Sequence, residues 1–186
     1  MSDYRRWYIP GGMYFFTVVT YNRRRILTTL EGRPFLHKAI GEVRKRYPFE
    51  LFATVLLPDH WHLILQLPPG DDRFSLRLKR IKEEFSKQWL QAGLSEATVT
   101  RSQLAKGERG IWQPRFWEHC IEGIEDLEAH VDYIHWNPCK HGVAERVRDW
   151  EWSSFHRFVE LGQYSMDWGK VEPKTIQGAF EWGEPD

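Results

Sequence analysis

The sequence predicts an α+β fold of the ferredoxin-like, split-βαβ kind: β-α-β-β-α-β-α, with an antiparallel four-stranded sheet and one added helix. Three observations carry this. Four short runs rich in aromatic and β-branched residues alternate with period two. Two stretches with apolar residues at steps of three and four separate them as amphipathic helices. Between the second and third runs there is only Pro58-Asp59, a tight turn that forces an antiparallel hairpin.

Taken in order, Gly11-Gly12 opens onto a first strand at residues 14–20, followed by Arg23-Arg24-Arg25. Phe35, Leu36, Ala39, Ile40, Val43 and Tyr47 then mark a helix with Pro34 near its start, which stops before Pro48. Residues 50–57 form the second strand and residues 60–67 the third, until the cluster Pro68-Pro69-Gly70-Asp71-Asp72 ends the hairpin. Leu78, Ile81, Phe85 and Trp89 line a second helix whose other face carries Arg77, Arg80 and Lys87. Residues 91–115 lack firm periodicity and are expected as a mobile loop. Residues 116–121 read as the fourth strand. Ile124, Leu127, Val131 and Ile134 line the added helix, which Pro138 is expected to end. A short helix or turn is expected at residues 150–159. The chain thus divides into one domain, residues 1–160, and an irregular acidic C-terminal tail, residues 161–186.

At 186 residues the chain suffices for one domain with a substantial core. No run is long and apolar enough for a membrane span, and the N-terminus lacks the apolar core of a signal peptide, so a soluble cytoplasmic protein without a membrane partner is expected. The formal net charge is zero but unevenly spread. Residues 1–57 hold ten Lys or Arg against four acids, whereas from Glu160 onward six acids face two lysines. A basic body is compatible with a polyanion, although charge runs are commonly solvated faces. There are ten tryptophans, several near basic residues, and basic grooves lined with aromatics hold unpaired bases.

Two histidines flank one hydrophobic residue in Pro58-Asp59-His60-Trp61-His62. On a strand, His60, His62, Ile64 and Gln66 share one face, and Trp61, Leu63, Leu65 and Leu67 share the other, which is the core face. Paired imidazoles suit a divalent metal with open positions; alternatively they are polar partners on the wetter face. In the added helix Tyr133 and Asn137 are four apart and therefore stacked, with His130 one turn before, on a face expected to be distinct from the apolar stripe. There they could meet His60 and His62, with Asn137 supplying an oxygen ligand. The alternative is a core tyrosine and a C-terminal cap. A zinc reading from Cys120, Cys139, His119, His135 and His141 has no recognisable spacing; His119 and His141 could instead contact phosphate or support the ligands. The two cysteines form no CxxC pair.

The segments Pro58-Asp59-His60-Trp61-His62-Leu63-Ile64-Leu65, Gly110-Ile111-Trp112-Gln113-Pro114-Arg115-Phe116-Trp117-Glu118-His119 and Tyr133-Ile134-His135-Trp136-Asn137-Pro138-Cys139-Lys140-His141-Gly142 resemble the REP-associated tyrosine transposases. These are single-tyrosine HUH nucleases related to single-strand insertion-sequence transposases. The lead Arg6-Trp7-Tyr8-Ile9-Pro10-Gly11-Gly12 and the stretch Asp149-Trp150-Glu151-Trp152-Ser153-Ser154 extend the likeness over about residues 5 to 158.

The resemblance implies His60 and His62 as ligands of Mg²⁺ or Mn²⁺, Asn137 as a third ligand, and Tyr133 as nucleophile. It implies strand cleavage by transesterification, with a 5′-phosphotyrosine link retained until a 3′-hydroxyl reverses the step. A free phenol of pKa ~10 is about 0.1% ionised at neutral pH, so forming its phenolate costs roughly 4 kcal/mol without assistance. The bond energy is kept in the adduct, so no nucleotide cofactor is needed, and no Walker A pattern occurs. The implied partner is single-stranded DNA bearing a hairpin. Candidate DNA contacts are Arg5, Arg6, Arg23, Arg77, Arg80, Arg109 and Arg115, with Trp7 and Trp112 for stacking. A monomer is expected. The alternatives are a hairpin-binding regulator that does not cut, and a replication or relaxase HUH enzyme, whose extra segments have no room here.

Overall fold

The computed structural model describes residues 7–177. Its sheet has four strands, β1 (Met13–Val19), β2 (Glu50–Leu56), β3 (His60–Gln66) and β4 (Trp117–Cys120), in the order β2-β3-β1-β4. All neighbours are antiparallel. This is the expected split-βαβ sheet: β3 inserts between β1 and β2 because the Pro58-Asp59 turn folds it back at once. Leu57 N–H bonds the His60 carbonyl at 2.9 Å to close that turn. A register shift between Leu51 and Ala53 bends β2.

Helices α1 (Gly32–Arg46) and α2 (Phe74–Gln91) cover one face. Pro34 fits the first turn of α1, where its missing N–H has no helical partner to lose. Thr29 Oγ1 accepts from Gly32 N–H at 3.0 Å to start the helix. In α2 the buried face is Phe74, Arg77, Leu78, Ile81, Phe85 and Trp89, so the helix begins a turn before the apolar periodicity becomes regular. Against these helices β1 and β3 turn Tyr14, Phe16, Val18, Trp61, Leu63 and Leu65, which form the larger core.

Residues 91–115 are more ordered than an irregular loop. A short helix α3 (Arg101–Ala105) is held by a capping box between Thr100 and Gln103. Beyond it, Ala97 and Gly110 pair as a bridge, and residues 111–113 continue along β1 through Tyr21 N–H to Ile111 O and Gln113 N–H to Val19 O, each 2.9 Å.

The opposite sheet face packs against α4 (Ile124–Lys140). Pro138 does not end this helix; it lies within the last turn, and the helix runs two residues further. Helix α5 (Phe155–Glu160) confirms the expected short helix. The segment before it lies along β2: Leu56 N–H donates to Trp152 O at 2.9 Å and Ser154 N–H to Thr54 O at 2.8 Å, which covers an otherwise open strand edge. Residues 162–177 are mainly turns but dock on α4. Ile176 is buried, Tyr164 and Thr175 donate to the Asp132 carboxylate, and Tyr164 stacks on Phe155 and packs at a tilt against Trp168. Among the described residues no helix is long and apolar enough to cross a membrane.

Candidate active site

The site forms where α4 crosses the sheet. Register places Val55, His62, Thr17 and Trp117 in one row across β2, β3, β1 and β4, all on the α4 face. His60 lies two residues along β3, on the same face. His60 and His62 are both buried, with ring centroids 4.8 Å apart. From α4, Tyr133 packs edge-on to His62 at 5.3 Å between centroids. One turn later the Asn137 Oδ1 lies 3.4 Å from His60 Nε2. The four groups placed together on sequence grounds therefore converge.

One detail differs. Tyr133 is not on a face separate from the apolar stripe: it is buried with Val131 and Ile134 in the smaller core, against Phe15. Ile124, assigned to that stripe, is 75% exposed. An aromatic nucleophile candidate carries its own apolar area, so the helix rolls to bury the ring and releases Ile124 at its N-terminus.

Each imidazole is fixed through Nδ1. His60 Nδ1 lies 2.7 Å from Asp59 Oδ1, and His62 Nδ1 lies 2.9 Å from Thr17 Oγ1. Burial pushes the Asp59 carboxyl up, but its hydrogen bond to His60, the imidazole charge and Arg23 outweigh this and hold it below the ordinary range. An ionised carboxylate only accepts, so His60 Nδ1 carries a proton, and in the tautomer that binds a metal the lone pair lies on Nε2. That lone pair then faces the Asn137 carbonyl oxygen. Two acceptors 3.4 Å apart, both buried, are what a cation between them would satisfy, so these residues fit a divalent ion. His141, exposed at the end of α4, stands edge-on to His60 at 4.8 Å.

Behind Phe15 is a second group able to hold a metal ion: His119, Asp126 and His130. It is already bonded internally. His119 Nε2 lies 2.9 Å from Asp126 Oδ2, and His130 Nδ1 lies 2.9 Å from Oδ1 and 2.8 Å from the Asp126 carbonyl. Burial, above all, lowers His130 to about 4, so at neutral pH it is an uncharged donor within α4, while His119, bonded to Asp126, ties β4 to the start of that helix. Among the described residues the cysteines take no part: both are free thiols, and His135 lies away from His119, against Phe155 and Phe158. The five-residue zinc grouping does not assemble.

The candidate DNA contacts separate. Arg77 is 1% exposed, with its guanidinium bonded to Asp71 at 3.1 and 3.0 Å and to Pro48 O at 3.2 and 2.8 Å. It locks the start of α2 to the end of α1 and is not a phosphate contact; its position on the apolar stripe was the signal. Trp112 is 5% exposed and packs edge-on to Phe85, so it is core and not a stacking platform. Arg80 is exposed beside Glu83, Arg109 pairs with Glu96, and Arg115 and Trp7 are exposed. Arg23 lies 3.5 Å from Asp59, next to the histidines, in a left-handed turn shared with Asn22. Arg5 and Arg6 lie outside the described residues.

The chain matches the family described as "Transposase IS200 like" over residues 10–137. It is 46% identical to the REP-associated tyrosine transposase of Escherichia coli (strain K12) over 168 residues, 90% of this chain and 91% of that one. A Haemophilus influenzae (strain ATCC 51907 / DSM 11121 / KW20 / Rd) relative is 43% identical over 178 residues, 96% of this chain and 99% of its own. The solved structure of a REP-associated tyrosine transposase bound to a REP hairpin superposes with a TM-score of 0.79 at 43% identity, covering 100% of this chain and 99% of that one.

Proposed function

This chain belongs to the IS200-like transposase family, among its REP-associated tyrosine transposases, and from that premise we propose that it cuts one DNA strand beside a hairpin with Tyr133 as nucleophile. The observation that carries the reading is the convergence of Tyr133 and Asn137, from one face of α4, on His62 and His60.

His60 Nε2, His62 Nε2 and Asn137 Oδ1 would hold Mg²⁺ or Mn²⁺. Imidazole ligands favour manganese, whereas phosphate oxygens and abundance favour magnesium. An ion bound there supplies positive charge that polarises the scissile phosphate and offsets the charge of its transition state. Asp59 and Thr17 orient the ligand rings. Tyr133 Oη gives a lone pair to phosphorus while the P–O3′ bond breaks toward the 3′-oxygen, and the phosphotyrosine conserves the bond for rejoining. Arg23, beside Asp59, is the phosphate contact closest to this chemistry, while Arg109, Arg115 and Trp7 present exposed charge or ring surface further off.

The test is incubation of the protein with a labelled hairpin oligonucleotide carrying a single-stranded flank, in Mg²⁺ or Mn²⁺. A denaturation-resistant protein–DNA adduct, absent from Tyr133→Phe and from metal-free reactions, is expected. Tight hairpin binding with no adduct under any metal would mean a regulator that does not cut. Undiminished cutting by Tyr133→Phe would remove Tyr133 from the mechanism.

A further inference from the structure

Tyr133, Asn137 and Lys140 stand at i, i+4 and i+7, so they share one face of α4. The family pattern and the ligand geometry account for the first two. Lys140 is half-buried, and its Nζ donates to the Tyr133 hydroxyl at 3.1 Å while lying 4.7 Å from the centroid of the same ring. The ammonium thus reaches back two helical turns to the one oxygen that has to form a bond.

We propose that Lys140 is a further catalytic residue of the strand-transfer reaction, one that contacts the reacting oxygen itself; this rests on the reading of Tyr133 as nucleophile. A phenol oxygen has two lone pairs. The Lys140 N–H takes one, which orients the hydroxyl and leaves the other for phosphorus. As the Oη–P bond forms, the phenol proton passes to water, the electron pair of the P–O3′ bond goes to the 3′-oxygen, and water protonates that oxygen. Lys140 keeps its proton and charge throughout. In the return step a 3′-hydroxyl attacks the phosphotyrosine and the phenol oxygen departs carrying the electron pair, beside the same ammonium. A fixed positive charge next to this oxygen stabilises both transition states, in a site where burial strengthens the interaction. Lysine suits the position because a compact ammonium on a flexible stem can follow the oxygen as it moves onto phosphorus.

The experiment compares wild type, Lys140→Met and Lys140→Arg, with Tyr133→Phe as the blank, in Mn²⁺ on a labelled hairpin oligonucleotide. Adduct formation is followed in a single turnover at saturating DNA, hairpin affinity by fluorescence anisotropy, and rejoining by adding a 3′-hydroxyl oligonucleotide to isolated adduct. Lys140→Met is expected to slow adduct formation and rejoining alike by about 10²-fold or more, with hairpin affinity within about threefold of wild type, and Lys140→Arg to recover at least about tenfold. Melting curves verify that both variants are folded, and the arginine variant keeps the test open should the methionine variant fold poorly. Wild-type single-turnover rates in Lys140→Met, or a loss that saturating DNA restores in full, would overturn the assignment. A wild-type protein that yields no Tyr133-dependent adduct would instead defeat the underlying reading.

Discussion

Thr17 and His62 face each other across β1 and β3 as register partners, with Thr17 Oγ1 2.9 Å from His62 Nδ1. The strand pairing itself therefore sets the ring orientation. When Nδ1 donates to the hydroxyl, Nε2 holds the lone pair that a metal requires.

Thr17→Val keeps the shape of the side chain and removes this acceptor. The expected result is a roughly tenfold or greater loss of Mn²⁺ affinity, measured by calorimetry. Stability, measured by thermal melting, should change by only about 1 kcal/mol, the net worth of an ordinary hydrogen bond. Unchanged Mn²⁺ affinity would mean that the hydroxyl does not orient the ring.

Asp59 holds His60 at 2.7 Å and Arg23 at 3.5 Å, so one carboxylate positions a ligand ring and a candidate phosphate contact together. Asp59→Ala should weaken Mn²⁺ binding by about 10- to 100-fold and also reduce hairpin affinity through Arg23. Asp59→Asn retains an oxygen that can accept from Nδ1 and should lose less of both. Equal effects of the two substitutions would show that charge, and not ring orientation, is what Asp59 supplies.

Asp71 is the counter-ion of the buried Arg77. Hydrogen bonds from Arg77 and then Arg73 hold its carboxyl far below the ordinary range. Asp71→Asn leaves a buried guanidinium without its charge partner and should cost about 3 kcal/mol or more in urea unfolding at neutral pH. Because the folded-state value is depressed, the contribution is fully present above the unfolded value of about 3.9 and is lost as pH falls below it. Wild type should therefore lose stability on acidification below about pH 4 more steeply than Asp71→Asn does. Parallel acid profiles would contradict this.

The sheet order was legible because each of its determinants is local: alternation in four runs, helical spacing in two stretches, and a turn with no spare residues. The histidine pair and the tyrosine–asparagine pair were legible for the same reason, since periodicity alone states which residues share a face. What joins them to their supports is not local. Thr17 meets His62 through strand register, 45 residues apart in sequence, and no pattern within β1 marks it. Asp59 was visible beside His60 but read as a turn residue. Of the candidate DNA contacts, Arg77 and Trp112 fail: Arg77, expected on the face of the second helix opposite the apolar stripe, stands three residues after Phe74 and four before Ile81 on the buried face, and Trp112 is core. A position on a buried face outweighs the residue type, provided that a partner such as Asp71 is within reach.

Asp132 holds the C-terminal segment to the back of the helix that bears Tyr133, accepting from the hydroxyls of Tyr164 and Thr175. Hydrogen bonds to a charged acceptor are worth about 1.5–3 kcal/mol, so Asp132→Ala should destabilise the protein by about 2 kcal/mol in urea unfolding and Asp132→Asn by less. Burial foremost, and then the Asp132 hydrogen bond and charge, push the Tyr164 phenol well above its ordinary value. The folded state thus retains this proton where the unfolded chain gives it up. The contribution is complete below the unfolded value of about 10 and is lost as pH rises above it, so wild type should weaken on alkalinisation more steeply than Tyr164→Phe. If Tyr164→Phe follows the wild-type alkaline profile, the Asp132 contact does not hold the segment in solution.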